Sequence, residues 1–537
     1  MPPASAPAAP AAVAALAASA AVAPAAPVVP RSPLFSGLRE RRVGILLHPT
    51  SLPSRQGVGS LGAGAREFVD FAAESGFAWW QVCPLGPTGY GDSPYQCFSA
   101  FAGNPYLIDL SEVVEAGLLD ERDLAPLRQL AEDRVEYGYL WEHFHTALGK
   151  AARTAIGRPA LLEAFGDVAA FRREKAAWLD DYALFSALKK FFAGKPWHEW
   201  PEAARNHREA VKTRWPAAVA AEVEAEVVKQ FLFFAQWTAL RGHARKRGLR
   251  ILGDSPIFVA RDSADVWANP QFFQLGEDGL PSHVAGVPPD YFSPAGQLWG
   301  NPLYDWDALK KDGYRWWLRR LAADLALCDA VRIDHFRGFH DYWQIPADAP
   351  DARSGCWQRG PGLDFFKTVR RELGDAALVA EDLGDLDDGV RGLRRETGLQ
   401  GMAVLQFAFG GDARNSYLPH NHSRDCVVYP GTHDNDTSVG WYAAATEAER
   451  DFFRCYFGSV GTEPNWTLIR AAYASPAVLA VVSLQDVLGK GSTARFNTPG
   501  VASGNWCWRV TVAELAHAKT FLTPNLHRLA EVTDRLA

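Results

Sequence analysis

The chain has 537 residues, enough for one large barrel or several domains, and its 48% hydrophobic content is that of an ordinary globular protein. A net charge of −7 argues against nucleic acid as a partner, because phosphate binding shows as a basic surface. No apolar run approaches the roughly 20 residues that cross a bilayer without helix breakers, so no membrane partner is expected.

Residues 1–30 carry no charge and consist almost entirely of Ala, Pro and Val, a composition that cannot specify a packed core. Arg31, Arg39, Arg41 and Arg42 follow, and the first acid is Glu40. We read 1–40 as a disordered leader of the plastid transit type and exclude it from the fold. A secretory signal with its apolar stretch at Ala11 to Ala23 is the rival, but it lacks a positive start. Seven cysteines (Cys83, Cys97, Cys328, Cys356, Cys426, Cys455, Cys507) are odd in number, irregularly spaced and free of any CxxC pair. That pattern disfavours a disulfide framework or zinc site and fits a reducing compartment, the plastid stroma or alternatively the cytoplasm.

From residue 41 to 537, apolar runs alternate with helical stretches, as in parallel α/β folds. The candidate strands are 43–54, 79–89, 249–259, 330–339, 377–384, 401–410, 426–437 and 477–489, each ending in polar, Gly or Pro residues. Eight such runs predict a (β/α)8 TIM barrel. Apolar residues at 65, 68, 69 and 72 predict a helix over Ala65 to Glu74. The stretch at about 111–248, rich in Ala, Glu, Lys and Arg, reads as a helical insertion subdomain. A second insertion at about 261–329 carries GVPPDYFSPAGQLWG, whose Gly and Pro density predicts an irregular active-site loop. The 19 tryptophans have two readings, since a flat indole suits both a sugar ring and a core.

The chemistry concentrates at strand ends. In AVRIDHFRG, Arg332 and Asp334 are two apart and share a face, and a neighbouring guanidinium favours an ionised carboxylate. The same pair equally fits a buried ion pair that closes the barrel. LVAEDLG places Glu381 and Asp382 at the next strand's end, and alternation lets only one face the mouth. Two carboxylates on neighbouring strand ends are the minimum for glycoside chemistry, retaining if about 5–5.5 Å apart. GTHDNDT adds His433, Asp434 and Asp436. An Asp there suits sugar hydroxyls; metal binding is the rival, although HNH at 420–422 sits beside a proline in a loop.

VRIDHFRG, AEDLG and GTHDNDT resemble the catalytic segments of the 4-α-glucanotransferases of glycoside hydrolase family 77. HPTSLPS (48–54), GDSPYQ (91–96), GDSPIFVA (253–260), GVPPDYFS with GQLWGNPLYDW (286–306), RFNTPG and NWCW extend the resemblance from about Val43 onward. It implies Asp334 as nucleophile, Glu381 as general acid/base and Asp434 as the acid that stabilises the transition state. It implies sugar contacts for Arg332, His335 and His433, and substrate contacts for Ser93 and Tyr95. Asp254, Trp299 and Asn497 match positions lining the cleft, and Asp290, Tyr291 and Phe292 a loop arching over the acceptor region. Pro294-Ala295 and Phe496 depart from the family pattern, the first pair leaving acceptor handling open. No N-terminal sugar-binding module is expected.

The implied reaction exchanges one α-1,4 bond for another by double displacement, releasing glucose from maltotriose, with no cofactor and no metal. Its partners are α-1,4-glucan donors and acceptors, and the chain is expected as a monomer or homodimer. Carboxylates alone do not separate transfer from hydrolysis, so an amylase-type α-1,4-glucan hydrolase is the alternative, and a non-catalytic glucan-binding protein a third reading.

Overall fold

Apolar runs too short for helices and bounded by Gly, Pro or polar residues become strands where both faces can be buried. In the computed structural model, which describes residues 32–536 except 90, 214, 290–292 and 385, all eight expected runs do so. They are β1 (Arg42–Leu46), β2 (Trp79–Gln81), β3 (Arg250–Ser255), β4 (Ala330–Ile333), β5 (Leu378–Ala380), β6 (Gly401–Val404), β7 (Cys426–Tyr429) and β8 (Leu479–Ser483). The strands pair in parallel in the order β6-β7-β8-β1-β2-β3-β4-β5. A parallel bridge between Val379 and Gln400 brings β5 alongside β6, so the sheet curls into the nearly closed (β/α)8 barrel that the sequence predicts. The predicted first helix spans Ala63–Glu74 and buries Ala65, Phe68, Val69 and Ala72 against it.

The leader boundary at 40 needs correction. Residues 1–31 lie outside the described residues, but Leu34 and Phe35 donate backbone hydrogen bonds to Glu396 and Thr397 at 3.2 and 2.9 Å. Phe35 is 1% exposed, and the Leu38 N–H reaches Gln400 Oε1 at 2.9 Å. A buried phenylalanine ring outweighs the low information content of its neighbours.

Residues 111–248 contain the helices Tyr137–Gly157, Leu179–Phe191 and Ala220–Lys246. The last packs on both others and on Ala63–Glu74, and Trp237 Nε1 donates to Leu327 O at 3.1 Å. This helix therefore belongs as much to the barrel wall as to the insertion.

The 261–329 connection also departs from expectation, because it is not irregular. His283–Val287 and Gln297–Pro302 form an antiparallel hairpin, which Asp341–Pro346 and Cys356–Arg359 extend to a four-stranded sheet. Pro288, Pro289 and Pro294 fall between the two strands in sequence and leave the flanks free to pair. Gly286 sits within a strand because a Cβ there would meet Gln297 O at 2.2 Å and Ile345 Cδ1 at 2.5 Å. The same connection contributes the helices Trp306–Lys311 and Arg315–Leu327. Trp80, Trp237, Trp267, Trp316 and Trp317 are core residues. Among the described residues no helix is long and apolar enough to cross a membrane.

Candidate active site

Strand alternation aims Arg332 and Asp334 into the barrel mouth together. The buried Arg332 guanidinium donates from Nη1 to both oxygens of Asp254 at 2.8 and 2.6 Å, and its Nη2 lies 3.0 Å from Asp334 Oδ1. The Asp334 N–H is held by Ser255 O at 3.0 Å, so β3 and β4 jointly fix that carboxylate. The ion pair does not seal the barrel end, because the Asp334 side chain keeps 27% of its surface exposed while that of Asp254 keeps none.

Alternation also separates Glu381 from Asp382. Glu381 turns toward β4, where Oε2 accepts the His335 N–H at 2.7 Å and Oε1 accepts the Leu383 N–H at 3.0 Å. Burial raises its carboxyl to about 7; Asp334 adds to the rise and Arg332 opposes it. Asp382 points away, accepting from Met402 N at 2.7 Å and lying 3.0 Å from Arg394 Nε. It fills space that only a glycine leaves: a Cβ on Gly401 would stand 2.4 Å from Asp382 Oδ2.

His335 adopts a left-handed backbone, φ 50°, which turns its ring edge-on to Trp299 at 5.0 Å and 87°. Burial pushes its imidazole down to about 4, leaving it neutral near pH 7, and its buried Nε2 has no hydrogen-bond partner among the described residues. A neutral, unpaired ring nitrogen at the mouth can receive or give a hydrogen bond to a hydroxyl.

Beyond β7, Asp434 Oδ1 accepts from Asn497 Nδ2 at 2.6 Å, and Oδ2 lies 3.3 Å from His433 Nε2. Burial would raise the Asp434 carboxyl, but His433 and Asn497 outweigh it and hold it well below the usual range. Burial would likewise lower His433, and Asp434 reverses the sign. Tyr95 stacks on His433 with centroids 5.0 Å apart at 16°, and its hydroxyl donates to Asp254 Oδ2 at 2.8 Å. Ser93 contributes through Oγ, which accepts the Tyr95 N–H at 3.2 Å and fixes that turn.

The structure thus brings together Asp334, Glu381, Asp434, Arg332, His335, His433, Asp254, Tyr95, Trp299 and Asn497, with Ser93 behind Tyr95. Asp290, Tyr291 and Phe292 lie outside the described residues. Three further residues were not singled out from sequence. Trp506 lies 5.9 Å from the Tyr95 ring and 5.8 Å from the His433 ring. Arg495 donates to Asp434 O and to Asn497 O at 2.6 and 2.7 Å. His48 meets the edge of Trp506 at 6.4 Å and is driven down to about 3 by burial, with His433 adding to the fall. All three lie inside or beside the motifs HPTSLPS, RFNTPG and NWCW, the one signal available. The ring nitrogens of His420 and His422, weighed as metal ligands, face Tyr456, Ala413, Tyr417 and Ser475 at hydrogen-bond distance.

The family model described as 4-alpha-glucanotransferase, glycoside hydrolase family 77, matches residues 47–514. A 4-alpha-glucanotransferase of Thermus thermophilus is 49% identical over 92% of this chain and 99% of its own length. One from Synechocystis is 47% identical over 88% of this chain and 94% of its own. The amylomaltase of Streptococcus agalactiae, solved in complex with acarbose, superposes with a TM-score of 0.87 at 35% identity, covering 93% of this chain and all of that one.

Proposed function

The chain belongs to the 4-alpha-glucanotransferases of glycoside hydrolase family 77, and on that premise we propose that it moves α-1,4-glucan segments by retaining double displacement at Asp334. Asp334 attacks the anomeric carbon while Glu381 gives its proton to the departing glycosidic oxygen. The 4-OH of an incoming glucan or of glucose then displaces Asp334 and returns a proton to Glu381. Asp434, fixed by Asn497 and His433, holds sugar hydroxyls of the distorted ring. Arg332, His335 and His433 contact the sugar at the cleavage point, with Ser93, Tyr95, Asp254, Trp299 and Asn497 around them. Asp290, Tyr291 and Phe292 are assigned to the acceptor side on family resemblance.

One observation carries this reading: the two carboxylates on neighbouring strand ends stand in different settings. Asp334 lies 3.0 Å from the Arg332 guanidinium of its own strand and keeps 27% of its side chain open to an incoming sugar. Glu381 is raised to about 7, which keeps a proton available to an acid catalyst. Incubation with maltotriose tests it. Glucose plus a ladder of longer maltooligosaccharides is the expected product pattern, whereas maltose and glucose with rising reducing ends would mark a hydrolase.

Residues 1–30 support a plastid leader by composition alone. N-terminal mapping of the protein from its native source tests that reading, and an intact first 30 residues would leave the cytoplasm.

A further inference from the structure

We propose that Arg337 pins the four-stranded sheet to both carboxylate-bearing strand ends and thereby sets how far a sugar, rather than water, completes the reaction. The proposal rests on the double-displacement reading above. In such a cycle the partition is decided once the glucosyl group sits on Asp334. Either the 4-OH of an acceptor or a water forms the new bond to the anomeric carbon, the bond to Asp334 breaks, and Glu381 takes the proton. Acceptor binding and the exclusion of water together separate the outcomes.

Arg337 lies in the short turn Phe336–Phe339, directly after His335. Its Nε donates to Asp341 Oδ1 at 2.8 Å, and its Nη2 lies 3.2 Å from Asp387 Oδ2. Asp341 opens the third strand of the four-stranded sheet, paired with Arg359 on the fourth. Asp387 caps the helix Asp388–Thr397, which follows the loop after Glu381. The flat guanidinium also lies 3.8 Å over the ring of Trp357, on the fourth strand. One side chain thus touches the turn after Asp334, the loop after Glu381 and two strands of the sheet.

The same sheet carries Trp299, whose ring meets His335 edge-on at 5.0 Å and forms part of the wall beside the reacting sugar. A rigid joint at Arg337 keeps that wall against the two carboxylates. The joint requires arginine, because a lysine ammonium cannot serve two carboxylates in a plane and stack on an indole at once. His340 lies in the same knot, with Nε2 3.0 Å from Arg359 Nη1 and 3.9 Å from Asp387. Both carboxylates of the knot, Asp341 and Asp387, already face the Arg337 guanidinium, which makes it a joint rather than a cation site. Arg337 acts through these partners and is a positioning residue.

The test uses Arg337→Lys and Trp357→Leu in the full chain with maltotriose, measuring glucose released by transfer and reducing ends gained by hydrolysis. The ratio of the two does not depend on how much enzyme is folded, so simple destabilisation leaves it unmoved. We expect the hydrolysis-to-transfer ratio to rise roughly three- to tenfold in Arg337→Lys and by less in Trp357→Leu, which keeps both ion pairs. An unchanged ratio in both overturns the proposal, even if melting temperature and total rate fall. If Arg337→Lys does not fold, Trp357→Leu decides alone, since it removes only the stacking surface under the guanidinium. Wild-type protein that performs no transfer on maltotriose would instead overturn the reading of the site itself.

Discussion

The carboxylate of Glu381 accepts the backbone N–H of His335 at 2.7 Å, so the side chain of one strand end is bonded to the main chain of its neighbour. His335 follows Asp334 and turns through a left-handed conformation to present that N–H. The Phe336 N–H, one residue on, donates to Glu381 O at 3.0 Å. The position of one acid is thus set by the loop of the other, and a change in either is felt by both.

Glu381→Gln keeps the shape but removes the transferable proton. We expect a folded protein with kcat for glucose release from maltotriose reduced by about 10²–10⁴-fold. Near-wild-type turnover would assign the acid to another group. Asp382 is a poor substitute, because Met402 and Arg394 hold it on the far side of the strand.

The elevated Glu381 carboxyl has two pH consequences. As general acid it must enter the cycle protonated, so kcat should fall as pH rises through about 7. As a group that binds its proton more tightly when folded, it leaves stability intact below its ordinary value near 4.5 and costs stability as pH rises through about 7. Glu381→Gln loses one acceptor for the His335 or Leu383 N–H, a penalty independent of pH. Relative to wild type the variant should therefore gain about 1–3 kcal/mol between pH 5 and pH 8.5, read from urea unfolding at each pH. A stability difference that stays flat across that range would show that Glu381 is not raised.

The parts of this molecule that were legible in sequence are those in which local pattern and final environment coincide. Parallel strands buried on both faces read as continuous apolar runs, and β4 and β5 end in charges because the barrel mouth is polar. The Arg332–Asp334 pairing follows from a two-residue spacing. The Arg332–Asp254 pairing spans 78 positions and no local rule contains it. The four-stranded sheet was hidden for a different reason. Its hairpin flanks are short, and the prolines of 288–296 dominate the composition of a segment whose ends still pair. Phe35 went unread because its backbone is tied to Thr397, far along the chain, and no local pattern marks its ring as buried.

That anchor gives a boundary experiment. A chain beginning at Ser32 keeps every contact described for Leu34, Phe35 and Leu38. One beginning at Arg41 empties the Phe35 site and frees the backbone acceptors at Glu396 and Thr397. We expect a loss of about 3 kcal/mol for the shorter chain, seen as a lower urea midpoint with an unchanged slope. Equal midpoints would return the boundary to residue 40.

Asp254 and Tyr95 differ in what their loss exposes. Asp254→Asn puts an amide where one carboxylate oxygen accepts from both Arg332 and Tyr95. A donor then faces a donor, and a buried guanidinium retains only Asp334 as its anionic partner. Removing one member of a buried pair costs about 3 kcal/mol. Tighter pairing of Arg332 to Asp334 should also weaken the nucleophile and lower kcat. Tyr95→Phe removes one hydrogen bond to a charged group, worth about 1.5 kcal/mol, and keeps the ring against His433. Urea unfolding and kcat on maltotriose should therefore rank Asp254→Asn well below Tyr95→Phe in both measures. If the two variants matched, the hydroxyl rather than the ion pair would be what organises this side of the site, and Arg332 would hold Asp334 without help from β3.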